Sequence, residues 1–360
     1  MTLPESFAIG GHVIRQGGRA FIIAEVAQAH DGSLGLAHSF IDIAAKAGAD
    51  AIKFQTHIAD AESTKDEQFR VNFSYEDKTR FDYWKRMEFT ASQWEGLAKH
   101  AREQGVVFLS SCFCVEAVEM LRRLTMPAWK VGSGEIASRE LLEAMAVGGE
   151  PILVSTGMSG LADVEGQVAT LRERSVPVAL LQCTTKYPTP LEEVGLNVID
   201  ELHDRFGCPV GLSDHSGLLW PAVAAIARGA ALIEVHIAMH RRQFGPDTAA
   251  SLEPAVLREL CEARDAIAKM LANPVDKSAT SEHLRGVREI FGKSLALKRA
   301  LPTGTVLAAE HLTFKKPGGG LSRQDLPSVI GRTLVREVPA DRLLRADDLA
   351  EGAQRKLANS

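Results

Sequence analysis

Residues 209–237 read PVGLSDHSGLLWPAVAAIARGAALIEVHI. A short apolar run ends at His215, a segment with helical spacing follows, and a second apolar run carries His236 near its end. Buried parallel strands read as near-continuous apolar runs, so this is a strand, a helix and a strand that return to the same side of a sheet. Working outward, the same signature recurs at FIIAEVA (21–27), AIKFQTH (51–57), VVFLSSC (106–112), AWKVGSG (128–134), PILVSTG (151–157) and VALLQCTT (178–185). Together with 209–215 and 231–237 these predict eight strands alternating with helices over about 250 residues, the pattern of a (β/α)8 barrel of the TIM type.

The 360-residue chain exceeds one barrel, and the remainder reads differently. After the helical AVLRELCEARDAIAKMLA, a polar segment at 276–290 is expected to link the barrel, 1–275, to a small, mainly β domain at 291–360, where short apolar runs are broken by Gly and Pro. The connection from 58 to about 91 is too long for an ordinary barrel turn and follows the second strand on the face where barrels keep their active sites, so it is expected to be a functional loop or cap. A formal net charge of -5 gives no broad basic surface for nucleic acid. No apolar run approaches the roughly 20 residues of a membrane helix, and the first residues lack the pattern of a signal peptide, so a cytoplasmic protein is expected. Five cysteines in a long chain point to reduced thiols rather than a disulfide framework.

Chemistry collects at the strand ends. Two neutral imidazoles, His215 and His236, suit a divalent transition metal with positions left for water or substrate. Spacing alone leaves a second reading open, two hydrogen-bonded polar histidines. Glu234 shares a strand face with His236. Glu25 ends the first strand, Lys53 and Gln55 alternate on the second, and Lys130, Ser133 and Glu135 come from the fourth. Ser155 and Thr156 lie where a helix begins, a place that favours phosphate. Two lysines with hydroxyls fit a small phosphorylated acid.

At these residues the sequence resembles the sialic acid (N-acetylneuraminate) synthases, in FIIAEVAQAHDGSL, AGADAIKFQTH, WKVGSGEI, PILVSTGMS, LLQCTTKYPTPLEEVGLN, VGLSDHSG, IEVHIAMH, GPDTAASLEP and KKPGGGLS. These stretches run in family order across nearly the whole chain. The resemblance implies a barrel followed by an antifreeze-like (SAF, β-clip) domain, and condensation of phosphoenolpyruvate with N-acetylmannosamine or a related N-acyl amino sugar. It implies manganese or magnesium on His215 and His236. Lys53, Lys130, Ser133, Ser155, Thr185 and Ser213 would hold phosphoenolpyruvate. Glu25 and Asp247 would serve as carboxylates at the reacting carbons, and Gln55, Glu135, Tyr187 and Lys316 as sugar contacts; Glu234 joins the catalytic candidates through its strand position rather than the resemblance. It implies a homodimer with exchanged C-terminal domains.

The chain departs from the family pattern at Ala29, in the place of an Asn, at Cys112 and Cys114, and at Lys316, which lacks the planar fork of the usual Arg. These changes fall on sugar choice. A related phosphoenolpyruvate-condensing barrel acting on a phosphorylated aldose (KDO-8-phosphate synthase-like) is the alternative reading, and a non-catalytic sugar- or ice-binding protein a further one.

Overall fold

A computed structural model describes residues 3–69 and 73–351. The chain divides after Ala272 into two compact units.

In the first unit the eight strands are Phe21–Ala27, Ala51–Thr56, Val107–Cys112, Trp129–Val131, Ile152–Ser155, Val178–Cys183, Val210–Asp214 and Leu232–Ile237. Each pairs in parallel with the next, and the eighth pairs with the first, Leu232 opposite Phe21 and His236 opposite Glu25, which closes the barrel. The helices expected between strands are present, from Leu34–Ala47 after the first strand to Pro254–Leu271 after the eighth. Helix signals explain their bounds: Ser33 accepts a hydrogen bond from Leu36 N at the start of the first, and Gly48, at φ 85, ends it in the left-handed conformation that glycine tolerates.

The core has two layers. One lies between strands and helices, where Phe40, Trp94, Leu121, Trp129 and Leu257 are buried. The other fills the barrel's interior and is sealed by a hairpin that the strand-helix alternation does not predict: Ser6–Ile9 and His12–Arg15 are antiparallel across Gly10-Gly11.

 Both residues of that turn have positive φ, 54 and 88, as a two-residue hairpin turn requires. From the strands Ser6–Ile9 and His12–Arg15, Ile9 and Ile14 pack against Phe21, Ile23, Leu109 and Leu153 at the amino ends of the barrel strands. The opposite end is left for polar side chains.

The connection after the second strand carries two helices, Ala59–Glu62 and Arg80–Met87, and residues 70–72 within it lie outside the described set. The second unit has its own core of Leu295, Leu297, Leu307, Val338 and Leu344. Its strands Ser294–Leu297 and Leu312–Lys315 are antiparallel, so the chain is a TIM-type barrel followed by a small domain built on short strands. The segment read as a linker, 276–290, is largely helical, at Lys277–His283 and Arg285–Phe291. The physical reason is local: Asp276 caps the first of these helices by accepting from Ser278 N and Ala279 N. Residues 352–360, assigned by sequence to the small domain, lie outside the described residues. Among the described residues no helix is long and apolar enough to cross a membrane.

Candidate active site

At the carboxyl ends of the strands the barrel opens into a cavity of about 480 Å³. Its floor is a row of alternating charges. Lys53 Nζ lies 2.8 Å from Glu25 Oε2 and 3.8 Å from Glu234 Oε2, and Lys130 Nζ lies 3.6 Å from Glu234 Oε1. All four side chains are buried. Burial pushes the Glu25 carboxyl above the usual range, more than Lys53 offsets. Burial would do the same to Glu234, but Lys130 and Lys53 beside it hold it below that range. Burial opposes the Lys53 ammonium, yet Glu234 and Glu25 keep it above its ordinary value; Lys130, chiefly because it is buried, falls below.

Hydroxyls surround this row. Lys130 Nζ donates to Ser155 Oγ at 2.8 Å, Lys53 Nζ to Ser111 Oγ at 3.2 Å, and Ser213 Oγ to Glu234 Oε1 at 3.1 Å. Ser133 Oγ accepts from Gly157 N at 3.0 Å. A Cβ placed on Gly157 would lie 2.5 Å from Thr185 Oγ1, 2.8 Å from Cys183 Sγ and 2.9 Å from Ser133 Oγ. Three polar side chains therefore converge on a position that only a hydrogen substituent leaves open.

The two histidines meet at one side, with ring centroids 5.1 Å apart. His215 Nδ1 lies 3.0 Å from the Thr184 carbonyl, which can only accept, so the ring's proton is on Nδ1; Nε2 accepts from Tyr187 Oη at 2.9 Å. Burial pushes His215 down to about 4 and His236 well below its usual value, so both rings are neutral near pH 7. His236 Nδ1 is buried without a hydrogen-bond partner, 3.7 Å from Asp247 Oδ2. Two neutral imidazoles, one with an unpartnered nitrogen, fit a metal held by few protein ligands. Among the described residues no group of three or more His, Cys, Asp or Glu could hold an ion, so such a site would be open to water or substrate. Asp247, 27 % exposed at its side chain, is pushed up to about 7 by burial and by the charge of Glu25.

Gln55, Glu135 and Tyr187 also border the cavity. Lys316 belongs to the second unit, where its ammonium lies 5.4 Å from the Phe291 ring centre. Two substituted positions are corrected: neither Cys112 nor Cys114 borders the cavity, because both turn into the core, and Phe113 between them faces it. All five cysteines are free and buried. At Ala29 the methyl packs against the core and the carbonyl accepts from Gln243 Nε2, while the neighbouring Gln28 amide lies 2.7 Å from Gln55 Oε1.

The connection expected to be a functional loop or cap does border the cavity, through Glu62, Glu67, Arg80 and Trp84, none of which sequence reading singled out, and His57 and Phe113 complete the same wall. Only His57 had a signal, since it continues the face of Lys53 and Gln55 at a spacing of two.

The NeuB family model matches residues 40–276 and the SAF domain model residues 292–350. The chain is 33% identical to N,N'-diacetyllegionaminic acid synthase of Campylobacter jejuni, covering 91% of this chain and 99% of that protein. It is likewise 33% identical to N-acetylneuraminate-9-phosphate synthase of Homo sapiens, covering 89% and 90%. Its fold is similar to that of the N-acetylneuraminic acid (sialic acid) synthetase of Leptospira borgpetersenii, with a TM-score of 0.69 and 28% identity over 80% of this chain and 99% of that one.

Proposed function

Because the chain belongs to the NeuB family, we propose that it condenses phosphoenolpyruvate with an open-chain N-acetylmannosamine-like amino sugar, giving a nonulosonic acid and inorganic phosphate. The observation that carries the reading is the floor of the cavity, where two buried lysines with serine hydroxyls flank two buried carboxylates. Lys53 and Lys130 neutralise the phosphate and carboxylate of phosphoenolpyruvate in a largely dry site, where charge interactions are strong. Ser133, Ser155, Thr185 and Ser213 orient it by hydrogen bonds.

C3 of phosphoenolpyruvate attacks the sugar's aldehyde carbon, forming the new carbon bond and an alkoxide that takes a proton. The positive charge left at C2 is met by water, whose proton passes to Glu25 or Asp247. The C2–O bond to phosphate breaks, inorganic phosphate leaves, and C2 becomes the ketone of a nine-carbon 2-keto acid. Glu234, fixed between the lysines, keeps both ammoniums aimed at the anion. Gln55, Glu135 and Tyr187 contact the sugar. Manganese or magnesium bound at His215 and His236 would polarise the aldehyde oxygen as a Lewis acid. Phosphate release from phosphoenolpyruvate with a panel of N-acyl amino sugars and metal supplied tests the proposal; release that requires both substrates is expected, and none with any sugar overturns it.

Gly157→Ala is expected to fold normally, because the new methyl meets only side-chain ends, and to reduce kcat/KM for phosphoenolpyruvate by roughly 10- to 100-fold by displacing Ser133 and Thr185. Steady-state kinetics beside a thermal melt checks this.

The working form is a homodimer in which the SAF domain of one copy closes the barrel mouth of the other and brings Lys316 to the sugar. Exposed Val287, Ile290 and Phe291 on the helix Arg285–Phe291 support association. Inactive His236→Ala and Lys316→Ala chains, mixed after mild unfolding, are expected to regain part of the activity as hybrid dimers. Hybrids seen by mass but still inactive would exclude the exchange.

A further inference from the structure

The wall contributed by the connection after the second strand is built around one buried acid. The His57 ring is sandwiched between Trp84, 4.1 Å away with an interplanar angle of 11°, and Phe113, 4.5 Å away at 5°. Its position and tautomer are set from both sides. Gln28 Nε2, a donor, lies 2.7 Å from His57 Nε2, so His57 carries its proton on Nδ1 and donates it to Glu62 Oε1 at 2.6 Å. The same Gln28 amide donates to Gln55 Oε1, and Gln55 Nε2 donates to Glu25 Oε1 at 2.9 Å. Glu62 is thus tied by an unbroken series of hydrogen bonds to the carboxylate at the reacting end.

The Glu62 side chain is 6% exposed and borders the cavity, yet its second oxygen, Oε2, is buried with no hydrogen-bond partner. A carboxylate oxygen left so is costly unless a donor meets it. The surroundings decide which donor. Glu67 and Glu135 border the same part of the cavity, and Glu135 is pushed above its usual value by burial and then by the charge of Glu62. The cation of this wall, Arg80, is already engaged, with Nη1 3.2 Å from Glu67 Oε1 and its guanidinium 4.9 Å from the Trp84 ring centre. The wall presents acceptors and aromatic faces and no uncommitted positive charge among its described residues. A phosphate group would be repelled here, whereas a hydroxyl or amide N–H would be bound.

Resting on the condensation proposed above, we infer that Glu62 is the specificity-determining acceptor for an uncharged N-acyl amino sugar, and that this wall rejects a sugar phosphate. The residue acts by touching the sugar, with His57 and Gln28 as positioning residues behind it. Glu62→Gln must keep its carbonyl toward the Nδ1–H of His57, so it turns an amide donor to the sugar where an acceptor stood. Glu62→Asp keeps the charge and shortens the reach.

The test measures phosphate release from phosphoenolpyruvate with N-acetylmannosamine, its 6-phosphate and a 2,4-diacetamido-2,4,6-trideoxy hexose, for the full-length protein and both variants. The wild type is expected to favour the uncharged sugars over the 6-phosphate by about ten-fold or more in kcat/KM. Glu62→Gln is expected to raise the KM for the uncharged sugar about ten-fold or more, leave the KM for phosphoenolpyruvate unchanged and narrow the discrimination against the 6-phosphate. Glu62→Asp is expected to raise the sugar KM while keeping that discrimination. A wild type that prefers the 6-phosphate, or a Glu62→Gln variant whose sugar KM is unchanged, overturns the inference and leaves the condensation standing. No phosphate release from any of the three sugars overturns the condensation itself, and the inference with it.

Discussion

Replacing Lys53 with methionine is expected to lower phosphate release at least a hundred-fold and to lower stability by about 3–5 kcal/mol. Both effects have one origin. The ammonium stands 2.8 Å from Glu25 and 3.8 Å from Glu234, and all three side chains are buried. Methionine is unbranched like lysine and fills much of the space of its methylenes, so the change removes mainly charge rather than packing. Glu25, already pushed upward by burial, then loses the only cation in ion-pair contact with it among the described residues. Catalysis loses a fixed positive charge at the place where phosphoenolpyruvate's anionic groups bind. Kinetics and a urea denaturation midpoint measure the two losses. Activity within ten-fold of wild type would remove Lys53 from the phosphoenolpyruvate site, and an unchanged midpoint would show that the pair does not hold the barrel floor.

His236→Ala is expected to reduce turnover about a hundred-fold or more and to weaken binding of manganese to the same degree, with the melting temperature nearly unchanged. The residue sits at the carboxyl end of the eighth strand, where its ring meets His215 and Tyr187 rather than the apolar layers of the barrel. Substitutions at that end affect chemistry more than folding. Metal binding measured by calorimetry gives a readout independent of activity. Full activity in His236→Ala, or in chelator-treated wild type, would exclude a metal on this pair.

The strands of the barrel were legible because each is buried on both faces and reads as one apolar run. Their ends were less so. The fourth was expected over 128–134 but closes at Trp129–Val131, since Gly132, Ser133 and Gly134 turn the chain into the cavity, which is what brings Ser133 to the site. The amino-terminal hairpin was not read: its strands are four residues each and follow no strand-helix alternation, although Gly10-Gly11 was a turn signal. At the site, residues carried on strands were recoverable from the period of two, which set Lys53 and Gln55 on one face. Glu62, Arg80 and Trp84 were not, because they are brought together by a connection with no periodicity, and the stacking of His57 between Trp84 and Phe113 joins residues far apart in sequence. Cys112 and Cys114 show the limit of reading a substitution without its orientation: one residue's difference in position separates a core thiol from Phe113 in the cavity.

The most direct test of the account uses phosphoenolpyruvate carrying ¹⁸O in its bridging oxygen, mixed with the preferred uncharged N-acyl amino sugar, metal and enzyme, with both products followed by mass spectrometry. One phosphate per nine-carbon 2-keto acid is predicted, with the label in the phosphate, because the bond that breaks is C2–O. Phosphate formed without the sugar, phosphate lacking the label, or no keto acid at all would contradict it.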